Sequence, residues 1–321
     1  MTKNKLTRNI LISIALGVIV YIAFVIYADF DSLYNAVVGM QMWYIPVVFL
    51  LSFINYLIRF VKWDYYLNTL KINISKVDSF SIFFSGLSMS VTPGKMGELI
   101  KCYILKKIKG TPISVSTSVV LTERITDFIS LIMIAILGAY IVGYGKDISL
   151  LFGILFIVLI VVISSRTISL KIISALEKIK FVSKFAGNIH NLYEGIYQLV
   201  KIKPLLFTIS ISLVGWFCEC LGFYLTIKAF YVEFEILRAS FVYSFSTLVG
   251  ALLFLPGGLG FTEGSLAGLM MLSGIEKEIA VASTFIIRAA TLWFAVLIGA
   301  IVLLIYQRRI NLKIDEIENA N

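Results

Sequence analysis

Long apolar runs dominate this chain and set the first expectation about its fold. Six of them are about 20 residues long, which is the length of α-helix that crosses about 30 Å of hydrocarbon. The six predicted spans are 10–28, 43–61, 123–143, 148–165, 204–227 and 279–306. Lys3, Lys5 and Arg8 precede the first span as in a signal peptide, but the apolar stretch is longer than a signal core of about 7–15 residues. We therefore expect this span to stay as an N-terminal anchor.

Two further apolar regions are interrupted by residues that break helices. Region 79–105 is broken by Thr-Pro-Gly-Lys at 92–95, and region 239–273 is broken by Pro-Gly-Gly-Leu-Gly at 256–260. Each piece is too short to cross the membrane alone, so the pattern predicts two re-entrant helical hairpins that enter and leave on one side. The alternative is that each region forms one kinked full span.

The order of spans and hairpins predicts an inverted internal repeat. Units 42–147 and 204–306 each contain a span, a hairpin and a returning span, and they run in opposite directions across the membrane. An anchor at 1–41, a span with an amphipathic connector at 148–203 and a tail at 307–321 complete a single integral membrane domain. Inverted repeats with broken helices are typical of transporters, which hold the substrate near the bilayer midplane.

Composition and charge agree with this all-α, polytopic membrane protein. The chain of 321 residues is 59% hydrophobic and 15% charged, whereas an average soluble domain is about 25% charged. Placing both termini in the cytoplasm puts most of the 28 lysines and arginines on that side of the cell membrane, as the positive-inside rule requires. The net charge of +9 is therefore explained by orientation and by attraction to anionic lipids, and it does not indicate a nucleic acid partner.

Charged side chains inside the apolar regions are candidate functional residues. They are Glu98, Glu123, Arg124, Asp127, Glu219, Glu263 and Arg288. One charge at the bilayer centre costs about 2.5–3.5 kcal/mol, so these groups must be paired or line a wet cavity. The spacing between a glutamate and the following arginine is similar in the two regions: 26 residues from Glu98 to Arg124 and 25 from Glu263 to Arg288. This similarity supports two related units. A structural Arg–Glu network and a polar path for a lipid headgroup are both open interpretations.

The two breaks carry the features of an anion site. Thr92 can cap a helix that starts at Pro93, and a helix N-terminus with a nearby lysine binds anions. Lys95 and Lys101 would then suit a lipid phosphate. The expected backbone anion site consists of the glycines at both breaks, Gly94, Gly97, Gly257, Gly258 and Gly260.

The residues needed for most catalysis are scarce. His190 is the one histidine, and the three cysteines suit neither a metal nor a disulfide framework, so we expect no metal, no cofactor and no catalytic residue. One feature favours an enzyme: Asp29 and Asp31 follow the first span, where membrane glycosyltransferases that use polyprenyl-phosphate sugars often carry an acidic pair. The alternatives are therefore such a glycosyltransferase, a non-catalytic partner of one, or a subunit that recruits a soluble synthase through the basic segment 166–203.

The motifs also resemble a known family. Residues 92–98 with Lys101, the Glu-Arg pair at 123–124 with Asp127, the glycine-rich break at 256–260 with Glu263, and Arg288 occur in this order. Together they closely resemble the flippase-like family, the transmembrane region of lysylphosphatidylglycerol synthase, also called the multiple peptide resistance factor. In bifunctional members a soluble aminoacyl-transferase domain follows this region, whereas about 15 residues follow the last predicted span here.

The resemblance implies lipid translocation and argues against aminoacyl transfer by this chain. The site residues that it implies are Lys95, Glu98, Lys101, Glu123, Arg124, Asp127, Glu263 and Arg288. The implied partners are membrane lipids, namely an anionic or aminoacylated phospholipid or a glycolipid. A separate synthase or glycosyltransferase and a second copy of the chain, as a homodimer, are further expected partners. The resemblance does not identify the lipid.

Overall fold

The chain folds into a bundle of α-helices, as the apolar runs predict. A computed structural model describes residues 5–92, 96–142, 146–178 and 183–310. In the first half, the helices are α1 Lys5–Ala28, α2 Phe30–Gly39, α3 Tyr44–Thr69, α4 Lys76–Leu87, α5 Ile100–Lys109, α6 Ile113–Val142 and α7 Lys146–Ser164. In the second half they are α8 Arg166–Glu177, α9 Ala186–Leu199, α10 Ile202–Lys228, α11 Ile236–Leu252, α12 Phe261–Leu272, α13 Lys277–Arg288 and α14 Phe294–Arg309. The protein is therefore an all-α, polytopic membrane protein.

Helix length and apolarity identify the clearest membrane spans. Among the described residues, Tyr44–Thr69, Ile202–Lys228 and Lys277–Arg309 are each long and apolar enough to cross a bilayer. Two bent helix pairs raise this number to five if each pair is one span. Helices α1, α6 and α7 coincide with the other predicted spans, and the total of six stays a prediction.

The same order of elements occurs twice. A long helix, α3 or α10, leads through a turn into a hairpin of two shorter helices, α4 and α5 or α11 and α12, and a further helical segment follows. The turns match in detail, because Lys71 and Tyr231 both adopt a positive φ, 57° and 59°, although neither is glycine. Within each hairpin the two arms contact each other. Re-entry on one side of the membrane and the opposite orientation of the two units stay predictions.

The two units are interlocked. Helix α3 packs against α10, while the first arm of each hairpin packs against the last helix of the other unit, α4 on α14 and α11 on α6. Residues at equivalent positions of the two units make equivalent contacts. The hydroxyl of Ser130 on α6 donates to the carbonyl oxygen of Ile209 on α10 at 3.3 Å, and the rings of Phe294 on α14 and Phe49 on α3 are 5.0 Å apart. Phe49 and Ile209 each stand ten residues before a charged residue of the long helix, Arg59 or Glu219.

Two connecting segments form helices of their own. The region after the first span, which the sequence places in an external loop, contains helix α2, bent by 90° from α1. Asp29 makes this bend with a φ of 70°. The basic segment 166–203 forms α8 and α9, as its amphipathic pattern predicts.

Candidate functional site

Most of the charged side chains inside the bundle gather in two buried groups. We call the residues Arg59, Lys62, Glu98, Lys101, Glu123, Arg124 and Asp127 the first cluster, and Glu263 with Arg288 the second cluster. Each cluster lies where a hairpin meets a long helix, so the fold brings together residues that are far apart in sequence. The most accessible member is Arg124, whose side chain is 19% exposed.

Hairpin residues and α6 make the first half of the first cluster. Arg124 donates a hydrogen bond from Nη2 to Oε2 of Glu98, which lies in the single 3-10 turn Met96–Leu99. Lys101 places Nζ 2.7 Å from Oε2 of Glu123 and 3.6 Å from Oε2 of Glu98. Its ammonium group also lies 4.6 Å from the ring centroid of Trp63, where a cation–π interaction is favourable. Lys101 therefore joins two carboxylates and is 1% exposed.

Helix α3 supplies two further cations that the sequence did not indicate. Lys62 places Nζ 2.5 Å from Oδ1 of Asp127 and 2.7 Å from the hydroxyl of Ser212 on α10. Arg59 lies one turn earlier, with Nη2 3.9 Å from Oδ2 of Asp127. Arg59 lies inside the predicted span 43–61 and Lys62 just beyond its end, whereas α3 continues to Thr69 and carries both side chains into the bundle.

A periodic pattern in α3 is the signal that would have found them. The buried residues of this helix include Ser52, Asn55, Arg59, Lys62 and Tyr66, spaced three or four apart. Polar residues at that spacing lie on one face of a helix. A polar face on an apolar helix of this length indicates an interior contact, and here it meets α10 and α6.

The second cluster is small, and its side chains find their hydrogen-bond and ion-pair partners within its own unit. Arg288 places Nε 2.6 Å from Oε1 of Glu263 and donates from Nη2 to the carbonyl oxygen of Gly257 at 2.6 Å. The other carboxylate oxygen of Glu263 accepts from the backbone N–H of Gly260 at 2.8 Å, which caps α12. A π-helical turn at Ala289–Trp293 directly follows Arg288, and such turns are frequent at functional sites.

Several amides of the expected backbone anion site already donate to protein acceptors. The N–H of Gly97 donates to Oγ1 of Thr92 at 2.8 Å, and the N–H of Gly258 donates to the carbonyl oxygen of Leu255 at 3.0 Å. Together with the capped Gly260, these amides would have to exchange partners to bind an anion. Gly94 and Lys95 lie outside the described residues.

Helix α1 packs against the second cluster from outside the repeat. Tyr21 accepts a hydrogen bond at 2.8 Å from the indole N–H of Trp293, within the π-helical turn. Gly17 lies against the same indole ring, because a Cβ built on it would be 3.1 Å from the ring. Val20 of the same helix would lie 3.8 Å from a Cβ built on Gly260, so the anchor helix also covers the hairpin break of the second unit.

Glu219 lies on α10, at the helix contact with α3. It is 5% exposed and accepts a hydrogen bond at 2.6 Å from the hydroxyl of Tyr243 on α11. The sequence identifies Glu219 as a charge in an apolar span, and its hydrogen bond with Tyr243 joins α10 to α11 within the second unit.

The acidic pair that favoured an enzyme has a structural contact. Asp29 accepts hydrogen bonds at Oδ2 from the backbone N–H and the hydroxyl of Ser32, at 3.2 and 3.0 Å, and so caps α2. Asp31 lies in the first turn of the same helix, where a negative charge is favourable. Within the described part of the chain, no group of three His, Cys, Asp or Glu side chains is placed to hold a metal ion.

Comparison with known proteins agrees with the fold and the motifs. The family model of the lysylphosphatidylglycerol synthase TM region matches residues 10–299. A UPF0104 membrane protein of Methanocaldococcus jannaschii is 28% identical over 227 residues, covering 69% of this chain and 94% of that protein. A UPF0104 membrane protein of Pyrococcus horikoshii is 26% identical over 320 residues, covering 91% and 95% of the two chains.

Proposed function

The chain belongs to the family of the lysylphosphatidylglycerol synthase transmembrane region, and we propose that it moves the headgroup of a phospholipid or glycolipid between the two leaflets of a membrane. The observation that carries the proposal is the first cluster, a network of seven charged side chains held inside an apolar bundle at a hairpin break.

Energetics support a functional role for such a network. Replacing a buried ion pair by apolar residues of similar volume is often neutral or stabilising, by about 1–4 kcal/mol. A protein that keeps seven charges in its membrane-embedded interior forgoes that stabilisation. Intramembrane ionisable groups generally face a cavity or path that a polar solute uses, and a headgroup crossing the bilayer needs such a path.

The geometry suggests a division of roles. Arg124, the most accessible member, would meet the headgroup first, and Lys95 and Lys101 near the first break would attract its phosphate. Glu98, Glu123, Asp127 and Glu263 would hold these cations in place and exchange partners as the headgroup passes. Arg288 would perform the corresponding step in the second unit.

Reconstitution tests the proposal directly. Purified protein in liposomes should accelerate the movement of acyl-labelled phospholipids and glycolipids between leaflets, measured by dithionite quenching of the outer leaflet. Arg124→Ala should slow this movement by at least tenfold. Arg166→Ala is the matched control, because Arg166 also pairs with a glutamate, at 2.7 Å, but its side chain is 58% exposed.

Two outcomes would reject the proposal. One is that no labelled phospholipid or glycolipid moves faster than in empty liposomes. The other is that Arg124→Ala and Arg166→Ala slow movement equally, since this would remove the connection between the buried network and the transport.

The membrane orientation belongs to the same proposal. The chain is a multi-pass integral membrane protein, and we propose that it lies in the cell membrane with both termini in the cytoplasm. Lys171→Cys at an exposed polar position of α8, in a chain whose other cysteines are replaced, should then react with a membrane-impermeant maleimide in inverted vesicles and not in intact cells.

A further inference from the structure

We infer that the headgroup moved by this protein is zwitterionic, with its phosphate bound at Arg59 and its ammonium group bound at Glu219. The inference rests on the proposed function and adds the substrate class and two binding residues. Three observations carry it: the unsatisfied donors around Arg59, the matched positions of Arg59 and Glu219, and the balance of charge in the interior.

Arg59 is a buried cation with unused hydrogen-bonding capacity. Its residue is 7% exposed, and its Nε has no hydrogen-bond partner among the described residues. The ion pair to Asp127 measures 3.9 Å, which is beyond hydrogen-bonding distance. A guanidinium carries five N–H donors in a planar fork that matches the oxygens of a phosphate. A buried donor without an acceptor is unfavourable, so Arg59 is suited to a ligand that brings oxygen atoms.

Asn55 extends this set of unsatisfied groups by one helical turn. It has no exposed surface, and within the described structure neither Nδ2 nor Oδ1 makes a hydrogen bond. It faces α10 at Gly215, where a Cβ would lie 3.2 Å from Nδ2. The indole N–H of Trp216, the next residue of α10, is also buried without a partner there. These unsatisfied groups on the facing helices α3 and α10 are mainly donors, as a phosphate requires.

Arg59 and Glu219 occupy equivalent positions in the two units. Each stands twelve residues before the turn residue with positive φ, Lys71 in the first unit and Tyr231 in the second. In an inverted repeat, equivalent positions of the two units lie at equal distances from the bilayer midplane, on opposite sides of it. The proposed orientation thus puts one cation and one anion on either side of the midplane, where a transporter of this kind holds its substrate.

The charges of the two clusters and Glu219 balance among the described residues, which favours a neutral headgroup. Within the described residues, the two clusters together with Glu219 contain five acidic and five basic side chains. They are Glu98, Glu123, Asp127, Glu219 and Glu263 against Arg59, Lys62, Lys101, Arg124 and Arg288. A zwitterionic headgroup keeps this sum at zero, whereas an anionic or a cationic one leaves an uncompensated charge in a low-dielectric region.

Arg124 and Arg59 share one carboxylate of the first cluster, that of Asp127. Arg124, partly exposed, places Nη1 3.9 Å from Oδ2 of Asp127, and Arg59 places Nη2 3.9 Å from the same oxygen. A phosphate that binds Arg124 therefore reaches Arg59 by exchange across a single carboxylate. Its ammonium group then lies on the side of α10, where Glu219 is located.

A comparison of headgroups in liposomes tests the inference. The probes are acyl-labelled phosphatidylethanolamine, which is zwitterionic, phosphatidylglycerol, which is anionic, and ethylphosphatidylcholine, which is cationic. The full-length protein should move the zwitterionic lipid at least tenfold faster than either charged lipid. Glu219→Gln should shift the preference toward the anionic lipid, and Arg59→Gln should shift it toward the cationic lipid. Glu194→Gln, at an exposed ion pair, should leave the preference unchanged.

The outcomes separate this inference from the proposed function. Equal or faster movement of phosphatidylglycerol by the unmodified protein overturns the inference while leaving translocation in place. No movement of any probe rejects the proposed function itself. If Arg59→Gln and Glu219→Gln lower all rates equally in protein that still elutes as a single species, the two residues are structural and the inference is wrong. Opposite shifts in headgroup preference support it.

Discussion

The ion pair of the second cluster gives a sharp prediction about stability. Arg288 is held by Glu263 at 2.6 Å and by the carbonyl oxygen of Gly257 at 2.6 Å, and Glu263 has no exposed surface. Removing one partner of a buried pair costs about 3–5 kcal/mol, because the other charge is left uncompensated. Arg288→Met should therefore lower the free energy of unfolding by about 4 kcal/mol, which is roughly a thousandfold in the equilibrium constant.

The variant Glu263→Gln and the double variant with Arg288→Met complete a double-mutant cycle. Glu263→Gln keeps an oxygen for the N–H of Gly260 and removes only the charge, so we expect a loss of about 3 kcal/mol. The double variant carries neither charge and keeps the cap, so its loss should be about 2 kcal/mol, far below the sum of the single losses. The pair is thus predicted to be strongly coupled.

Unfolding by sodium dodecyl sulfate measures these free energies in detergent micelles, with the fluorescence of the four tryptophans as the signal. Arg166→Met is the control, because its ion pair with Glu194 is exposed and should contribute less than about 1 kcal/mol. Losses in the single variants that add up in the double variant would refute the reasoning, since they would show that the two charges do not depend on each other.

Three further predictions concern packing, capping and buried charge. Gly299→Ala should prevent stable folding, because a Cβ at this position would lie 2.2 Å from a backbone nitrogen. Gly264→Ala is the control, because open space surrounds that position and its thermal midpoint should not fall. Equal thermal midpoints for the two variants would contradict the predicted clash at Gly299. Asp29→Ala should lower the free energy of unfolding by about 1 kcal/mol, because the cap of α2 is lost, and should leave lipid movement unchanged. Loss of a sugar-transfer activity in this variant would instead favour the enzyme interpretation. Lys101→Ala should lower the free energy of unfolding in detergent by about 3 kcal/mol, because it leaves a buried carboxylate unpaired. Lys106→Ala, at an exposed position, should lower it by less than about 0.5 kcal/mol. Similar losses in the two variants would exclude a buried ion-pairing role for Lys101.

The sequence predicts the class of fold and the location of the charged clusters well. Apolar runs of about 20 residues leave few alternatives to membrane-spanning helices. The repeated spacing from Glu98 to Arg124 and from Glu263 to Arg288 marks related positions, and the structure pairs the acid and the base in both units. This works because a charge in an apolar region requires a partner, whatever the details of packing.

The sequence fails where a boundary depends on tertiary contacts. The first charge after an apolar run predicts the end of a span, but α3 continues past Lys62 because Asp127 and Ser212 satisfy its ammonium group. The glycines of the breaks predict free amides for an anion, but the N–H groups of Gly97, Gly258 and Gly260 already donate to acceptors in the protein. Such partners come from distant parts of the chain, and one sequence does not specify them.

The interlocking of the two units has a consequence for how the protein is made. Helix α4 packs against α14, and the hydroxyl of Tyr306 donates to Oδ1 of Asp78 at 2.8 Å across 228 residues of sequence. At about 5–20 residues per second, a ribosome needs roughly 10–50 s to synthesise that intervening stretch. Throughout this time the first hairpin has no permanent neighbour on one side, whereas α11 finds α6 already complete. Biogenesis is therefore uneven: the first half of the molecule waits, shielded by lipid or by insertion factors, until the last helix leaves the ribosome.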